Sequence, residues 1–260
     1  MKIKLYQADA FTDKIFGGNP AAVCPLENWL ADDLMQSIAL ENNLAETAFF
    51  IRKENNYHIR WFTPVYEVDL CGHATLAAAY VIFTELKHDG NEIKFNSRSG
   101  ELSVRKNGEM LVLNFPADKI EKINPPAKMI TALGATPVEY YKGKTDYLLV
   151  YSIQEQIERM TPDFRRLSEI DARGIIVTAK EKECDFVSRF FAPQAGIDED
   201  PVTGSAHTTL TPYWAGKLGK TELSAIQLSK RKGYLKCKLL DGRVEIAGEV
   251  KLYMKGEIEI

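Results

Sequence analysis

The chain has no segment long enough to cross a membrane and little that would attract nucleic acid. Its most apolar run, residues 74–83, is about half of the ~20 residues that a membrane-spanning helix needs. The formal net charge of −3 over 260 residues gives no long-range attraction for phosphate backbones. The first residues alternate like a strand and lack the apolar block of a signal peptide, which favours the cytoplasm. We therefore expect neither a membrane nor a nucleic acid as a partner.

Motifs for metals and cofactors are missing too. The four cysteines form no CxxC pair and have no histidine at metal-ligand spacing, so neither a zinc site nor a disulfide framework is predicted. No GxGxxG or GKS/T loop follows a predicted strand, which leaves no sequence case for a dinucleotide or ATP. We expect no metal and no cofactor.

What the chain does contain is an internal duplication. The segment Arg60-Trp61-Phe62-Thr63-Pro64 is matched by Arg189-Phe190-Phe191-Ala192-Pro193, and each is followed by a loop and a helix start rich in small residues. A hairpin also recurs at a constant offset, with Ile93, Phe95, Gly100 and Leu102 matched by Ile226, Leu228, Gly233 and Leu235. Two copies predict two similar domains rather than a solenoid, which needs three or more repeats.

The helix predicted after His73 indicates the fold class. It is apolar on nearly every side, so strands must enclose it. Because the surrounding elements are mostly hairpins, the sheets should be mixed or antiparallel, which predicts an α+β protein. Residues 114–128 carry three prolines and are the expected linker, with one lobe at residues 1–118 and the other at residues 128–249.

The two predicted helix starts hold the densest groups of reactive residues. Each offers unpaired backbone N–H groups and a positive dipole end, which suit a carboxylate-bearing substrate. The dipole would disfavour protonation of His73 and leave a neutral imidazole that relays a proton, or His73 is only a polar cap. Asp200 could orient or protonate a substrate, or it could serve only the helix dipole. His207 is expected either to pack in the core or to make a surface hydrogen bond.

Glu46 opens a predicted strand, and the duplication aligns it with Arg173 in the second half. A partly desolvated carboxylate at the edge of an apolar strand suits general acid/base work. A solvated glutamate at a strand end is the ordinary alternative.

Several motifs together resemble the PhzF family, the phenazine-biosynthesis isomerase group. They run nearly from end to end: Ala10-Phe11-Thr12, Gly18-Asn19-Pro20-Ala21-Ala22-Val23, Ala45-Glu46-Thr47, Arg60-Trp61-Phe62-Thr63-Pro64, Cys71-Gly72-His73-Ala74-Thr75, and Asp198-Glu199-Asp200-Pro201-Val202-Thr203-Gly204-Ser205-Ala206-His207. The resemblance implies the diaminopimelate-epimerase-like fold, in which two similar domains each curl a sheet round a central helix. It also implies an active site between the domains, a last strand (residues 250–260) that returns to the first lobe, and a homodimer.

The family's activity is a cofactor-free isomerisation that moves a proton between carbons of a dihydro-hydroxy-anthranilate. The resemblance places its acid/base glutamate at Glu46 and the assisting histidine and aspartate at His73 and Asp200. The positions that would bind a small carboxylated substrate are Gly72, Ala74, Gly204, Ser205 and Asn19.

Two other interpretations stay open at this point. A two-thiol epimerase on the same fold would use Cys71, but the matching segment of the second half, around Thr203, has no thiol. A non-catalytic small-molecule-binding protein would be marked by loss of the acid, and Glu46 is present.

Overall fold

The computed structural model describes all residues from Met1 to Ile260 and is an α+β protein. Its helices are α1 (Asp32–Asn42), α2 (Gly72–Thr84), α3 (Ala127–Leu133), α4 (Gln154–Glu158), α5 (Phe164–Leu167) and α6 (Gly204–Leu218). Its strands are β1 (Lys2–Ala10), β2 (Asn19–Leu26), β3 (Glu46–Lys53), β4 (Asn56–Phe62), β5 (Glu67–Val68), β6 (Glu92–Ser97), β7 (Gly100–Asn107), β8 (Met110–Pro116), β9 (Glu121–Lys122), β10 (Glu139–Lys142), β11 (Asp146–Val150), β12 (Gly174–Lys180), β13 (Phe186–Phe191), β14 (Glu222–Gln227), β15 (Gly233–Leu239), β16 (Arg243–Gly248) and β17 (Val250–Glu259). None of the helices has the length and hydropathy that a membrane span requires.

The chain divides into two compact units. The first contains Met1–Asn114 and Ala247–Ile260, and the second contains Phe115–Ile246. In the first unit, β1 pairs antiparallel with β17 and with β2. The sheet then continues from β2 parallel to β3, antiparallel to β4, parallel to β6 and antiparallel to β7. The carboxyl-terminal strand therefore belongs to the first unit.

The second unit repeats this alternation. Strand β10 pairs antiparallel with β11, and β11 pairs parallel with β12. The ladder continues antiparallel to β13, parallel to β14 and antiparallel to β15. The duplication indicated by the sequence is thus a duplication of strand pairing, and the predicted mixed-sheet α+β class is confirmed.

Each unit has one central helix. In α2, ten of the 13 residues are buried, and the helix packs against β1, β2 and β3. Burying Leu76, Val81 and Ile82 contributes about 1.5–3 kcal/mol per side chain. Helix α6 packs against β11, β14 and β15. The apolar composition of α2 therefore matches its enclosed position.

The constant offset between the two hairpins is wrong for the first strand of each. Gly100 pairs with Ser97, whereas Gly233 pairs with Gln227, so the second turn is three residues longer. The structural counterparts of Ile93 and Phe95 are consequently Leu223 and Ala225, which are buried, rather than Ile226 and Leu228. The extra residues form a turn that ends at Lys232, where φ is 54°.

Candidate active site

Glu46 lies where β3 begins, and its carboxylate is largely shielded from solvent. Helix α1 ends at Asn42, its C-cap residue Asn43 has the left-handed φ of 47°, and the chain then turns into β3. Glu46 is paired with Ala21 of β2, and its side chain is only 14% exposed. The partial desolvation expected of this carboxylate is therefore present.

His73 lies in the first turn of α2 and contacts Glu46. Its N-cap residue Cys71 is extended, and the Cys71 carbonyl accepts the backbone N–H of Thr75. This turn places His73 Nε2 at 3.1 Å from Glu46 Oε2, with the histidine side chain 6% exposed. Two of the residues predicted to be catalytic thus form a buried pair.

Asn19 and Cys71 contact the other ring nitrogen of His73. Asn19 Nδ2 lies 3.2 Å from Nδ1, and Cys71 Sγ lies 3.6 Å from the same atom. Asn19 is fully buried at the start of β2. Asn19 and Cys71 therefore lie at Nδ1 of the imidazole ring, whereas Glu46 lies at Nε2.

The electrostatics of His73 differ from the sequence expectation. Burial acts to lower the pKa of His73, but the Glu46 carboxylate 3.1 Å from Nε2 raises it by more, and the result is a pKa well above the ordinary value. Burial also raises the pKa of the Cys71 thiol, which is therefore protonated and uncharged at neutral pH. The Glu46 carboxylate is thus the charge that stabilises the imidazolium, and it outweighs the helix dipole that was expected to keep the ring neutral.

The same three side chains each offer a possible metal-ligand atom within 4.8 Å of the others. Cys71 faces Nδ1 of the imidazole, however, and Glu46 faces Nε2. One cysteine, one histidine and one glutamate are fewer than the four protein ligands of a closed structural zinc site.

Asp200 lies in the second unit, ahead of α6, and several groups fix it. Its backbone N–H donates to the carbonyl of Phe190, and its carboxylate accepts the Thr203 hydroxyl. Its carbonyl accepts a hydrogen bond from Gln227 Nε2 at 2.8 Å, and Gln227 Oε1 accepts the Thr203 N–H at 2.9 Å. Sequence reasoning missed Gln227, although it is a polar residue in phase with the buried positions Leu223 and Ala225 of β14.

Gly204 and Ser205 open α6, in the same way that Gly72, His73 and Ala74 open α2. Ser205 Oγ accepts a hydrogen bond from Arg173 Nη1 at 3.1 Å. The sequence had assigned Arg173 no role at this site.

The strand registers correct the counterpart of Glu46. Glu46 pairs with Ala21, and the next residue, Thr47, pairs with Phe62. In the second unit the equivalent strand positions belong to Gly174, because Ile175 pairs with Phe191. The expected counterpart, Arg173, is thus displaced by one residue. A Cβ on Gly174 would lie 2.0 Å from the Phe190 ring, so the space of the acid is filled by an aromatic side chain.

His207 is a core residue, which is the first of the two roles expected for it. It is fully buried beside the Phe186 ring, and its Nδ1 lies 2.9 Å from the carbonyl of Thr203. Burial lowers its pKa from 6.5 to about 4. The folded protein therefore holds this histidine neutral at pH values where the unfolded chain protonates it.

This difference predicts a pH-dependent contribution to stability. Between pH 6.5 and about 4 the unfolded chain binds a proton that the folded chain does not, so the free energy of unfolding falls as the pH falls. The loss is about 3 kcal/mol across this window. Urea unfolding at pH 7 and pH 4 should show this extra loss in the wild type relative to His207→Gln, which does not titrate. Equal losses of unfolding free energy in the wild type and in His207→Gln would contradict the lowered pKa of His207.

Comparison with known proteins identifies relatives over the whole chain. A family model described as phenazine biosynthesis-like protein matches residues 8–256. A Pseudomonas aeruginosa protein named an uncharacterized isomerase is 50% identical over 260 residues, which is 100% of both chains. The human phenazine biosynthesis-like domain-containing protein is 41% identical over 288 residues and 99% of both chains.

Solved structures give the same result. A PhzF family phenazine biosynthesis protein from Enterococcus faecalis has a TM-score of 0.97 at 46% identity, with 100% of both chains covered. A probable proline racemase from Agrobacterium radiobacter shares the fold alone, with a TM-score of 0.66 at 10% identity over 99% of this chain and 92% of that one. The match to the family model and the two relatives named as isomerase and phenazine biosynthesis-like protein place the chain in the PhzF family of phenazine biosynthesis-like isomerases.

Proposed function

We propose that the protein is a cofactor-independent isomerase that moves a proton between carbons of a small carboxylated substrate. Glu46 is the general acid/base, and His73 and Asp200 assist it. The observation that carries the proposal is the buried contact of 3.1 Å between Glu46 Oε2 and His73 Nε2.

In this mechanism the Glu46 carboxylate removes a proton from one carbon of the substrate. The electron pair of the broken C–H bond shifts along the conjugated system, and the protonated Glu46 then delivers the proton to another carbon. His73, whose pKa is raised beside Glu46, carries the positive charge that stabilises the carboxylate before transfer and the substrate anion after it. No net charge is created in the buried site during the transfer.

Asp200 and the helix starts supply the remaining groups. The Asp200 carboxylate already accepts the Thr203 hydroxyl, so its orientation is set before a substrate binds. The backbone N–H groups at Gly72 and Gly204 lie in the first turns of α2 and α6 and suit the substrate carboxylate.

The two-thiol epimerase is the competing function. Its chemistry needs a thiolate on each face of the reacting carbon, and the pKa of the Cys71 thiol is raised by burial. The equivalent N-cap residue of α6 is Thr203, which has no thiol. These two observations favour the carboxylate mechanism.

The test is a screen in heavy water. The protein is incubated with a panel of small unsaturated carboxylic acids, and deuterium uptake is measured by mass spectrometry. We expect at least one compound to gain carbon-bound deuterium and to isomerise at matched rates. The panel includes both cyclic and open-chain carboxylates. If the protein binds some of them but exchanges deuterium into none, the non-catalytic alternative is favoured.

A further inference from the structure

Arg173 is held in a fixed position at the start of α6. Its guanidinium makes a two-point contact with the carboxylate of Asp146, which is 3% exposed. A third donor, Nη1, reaches Ser205 Oγ at 3.1 Å. The guanidinium carbon also lies 5.5 Å from the centre of the Phe190 ring. Three residues, Asp146, Ser205 and Phe190, thus orient a side chain that is still 43% exposed.

This cluster lies beside the second unit's positional counterparts of Glu46 and His73, which are Gly174 and Ser205. Ser205 follows Gly204 at the start of α6, as His73 follows Gly72 at the start of α2. Arg173 directly precedes Gly174, the positional counterpart of Glu46. The duplicated scaffold therefore holds a carboxylate and an imidazole in one unit, and a guanidinium and a hydroxyl in the other.

The hydrogen-bond donors define what this cluster can bind. Because Ser205 Oγ accepts a hydrogen bond from Arg173, the one hydrogen of its hydroxyl is available to donate elsewhere. Arginine has five N–H donors, and the contacts to Asp146 and Ser205 use three of them. A group that only accepts hydrogen bonds fits beside these donors, whereas an NH₂ group would face them with donors of its own.

We propose that Arg173 is a positioning residue that orients the Ser205 hydroxyl toward the substrate carboxylate and makes the site selective for a carboxylate over the corresponding amide. The inference rests on the proposed function for the presence of that carboxylate at Ser205. Asp146 supports the arrangement by fixing the guanidinium edge that faces away from Ser205.

Binding of benzoate and of its neutral analogue benzamide tests the inference without turnover. Each compound is titrated against the protein while the backbone amide signals of Gly204 and Ser205 are followed by NMR. We expect the wild type to prefer benzoate. In the double variant Arg173→Gln with Asp146→Asn, which replaces a buried ion pair by a neutral pair of similar shape, the preference should fall by about 10–100-fold. Arg165→Gln is the matched control, because Arg165 is an exposed arginine of the same unit.

A variant that keeps the positive charge distinguishes a positioning role of Arg173 from a general effect of Arg173 on protein stability. Arg173→Lys keeps a donor but cannot form the two-point contact, so we expect it to recover only part of the preference. An unchanged preference in the double variant would overturn the inference, as would benzoate that shifts neither amide in the wild type. Loss of the preference together with no deuterium exchange on any carboxylate would refute the proposed function but leave the role of Arg173 intact.

Discussion

Glu46→Gln is expected to slow carbon-bound deuterium exchange by about 10²–10⁴-fold while the protein keeps its fold and binds substrate nearly as well. Glutamine has the shape of glutamate and can still accept a hydrogen bond from His73 Nε2, but it cannot remove a proton. The loss should therefore appear in kcat with little change in KM, as expected for an interaction made only in the transition state. The measurement is the exchange rate of the substrate found in heavy water, for both proteins.

A matched control is Glu92→Gln, which makes the same change at another strand start. Glu92 opens β6 and is exposed, so its replacement should leave exchange within about twofold of the wild type. Comparable losses of exchange activity in the two variants would show that removing any negative charge has this effect, and that it is not specific to Glu46.

Gly18→Ala is expected to destabilise the first unit by about 3–5 kcal/mol. Gly18 has a φ of +59°, and a Cβ there would lie 2.1 Å from the carbonyl oxygen of Ala10. This close approach follows from the register that pairs Ala10 with Asn19. Because Asn19 contacts His73, the substitution should also lower exchange activity in the protein that remains folded. Guanidinium unfolding at pH 7 measures the change in the free energy of unfolding.

The matched control is Gly219→Ala at the end of α6. Gly219 has a similar φ of +68° but nothing within 4 Å of the added Cβ. Gly219→Ala should therefore lower the free energy of unfolding only by the cost of placing alanine in a left-handed backbone conformation, about 1–2 kcal/mol. Equal destabilisation by the two substitutions would show that the contact with Ala10 contributes nothing.

The fold class could be predicted from sequence because it depends on the amino-acid composition of each element. That composition is the same whatever the register in which the strands pair. The uniformly apolar α2 had to be enclosed, and the motif repeated at Arg60 and Arg189 marks equivalent strands β4 and β13 in both units. The detailed correspondence was harder. A turn that is three residues longer before Gly233 shifts one strand against its partner, and no property of the individual residues signals that shift.

The candidate site could be predicted in part for a related reason. Glu46 and His73 stand at the starts of elements, where sequence motifs are recognisable, and the structure brings them together. The supporting groups are set by tertiary contacts instead. Arg173 reaches Ser205 across 32 residues, and Gln227 reaches Thr203 across 24, so neither pairing follows from local pattern. The charge state of His73 depended on how close Glu46 lies, which sequence reasoning could not weigh against the helix dipole.

The most direct test of the central claim, that a carboxylate and not a thiol moves the proton, is deuterium incorporation in heavy water by Glu46→Gln and Cys71→Ser side by side. Serine can fill the position beside His73 Nδ1 and accept a hydrogen bond from it, but it cannot act as a thiolate. We expect Cys71→Ser to keep most of the exchange activity and Glu46→Gln to lose it. An inactive Cys71→Ser together with an active Glu46→Gln would contradict the account and assign the proton transfer to the thiol.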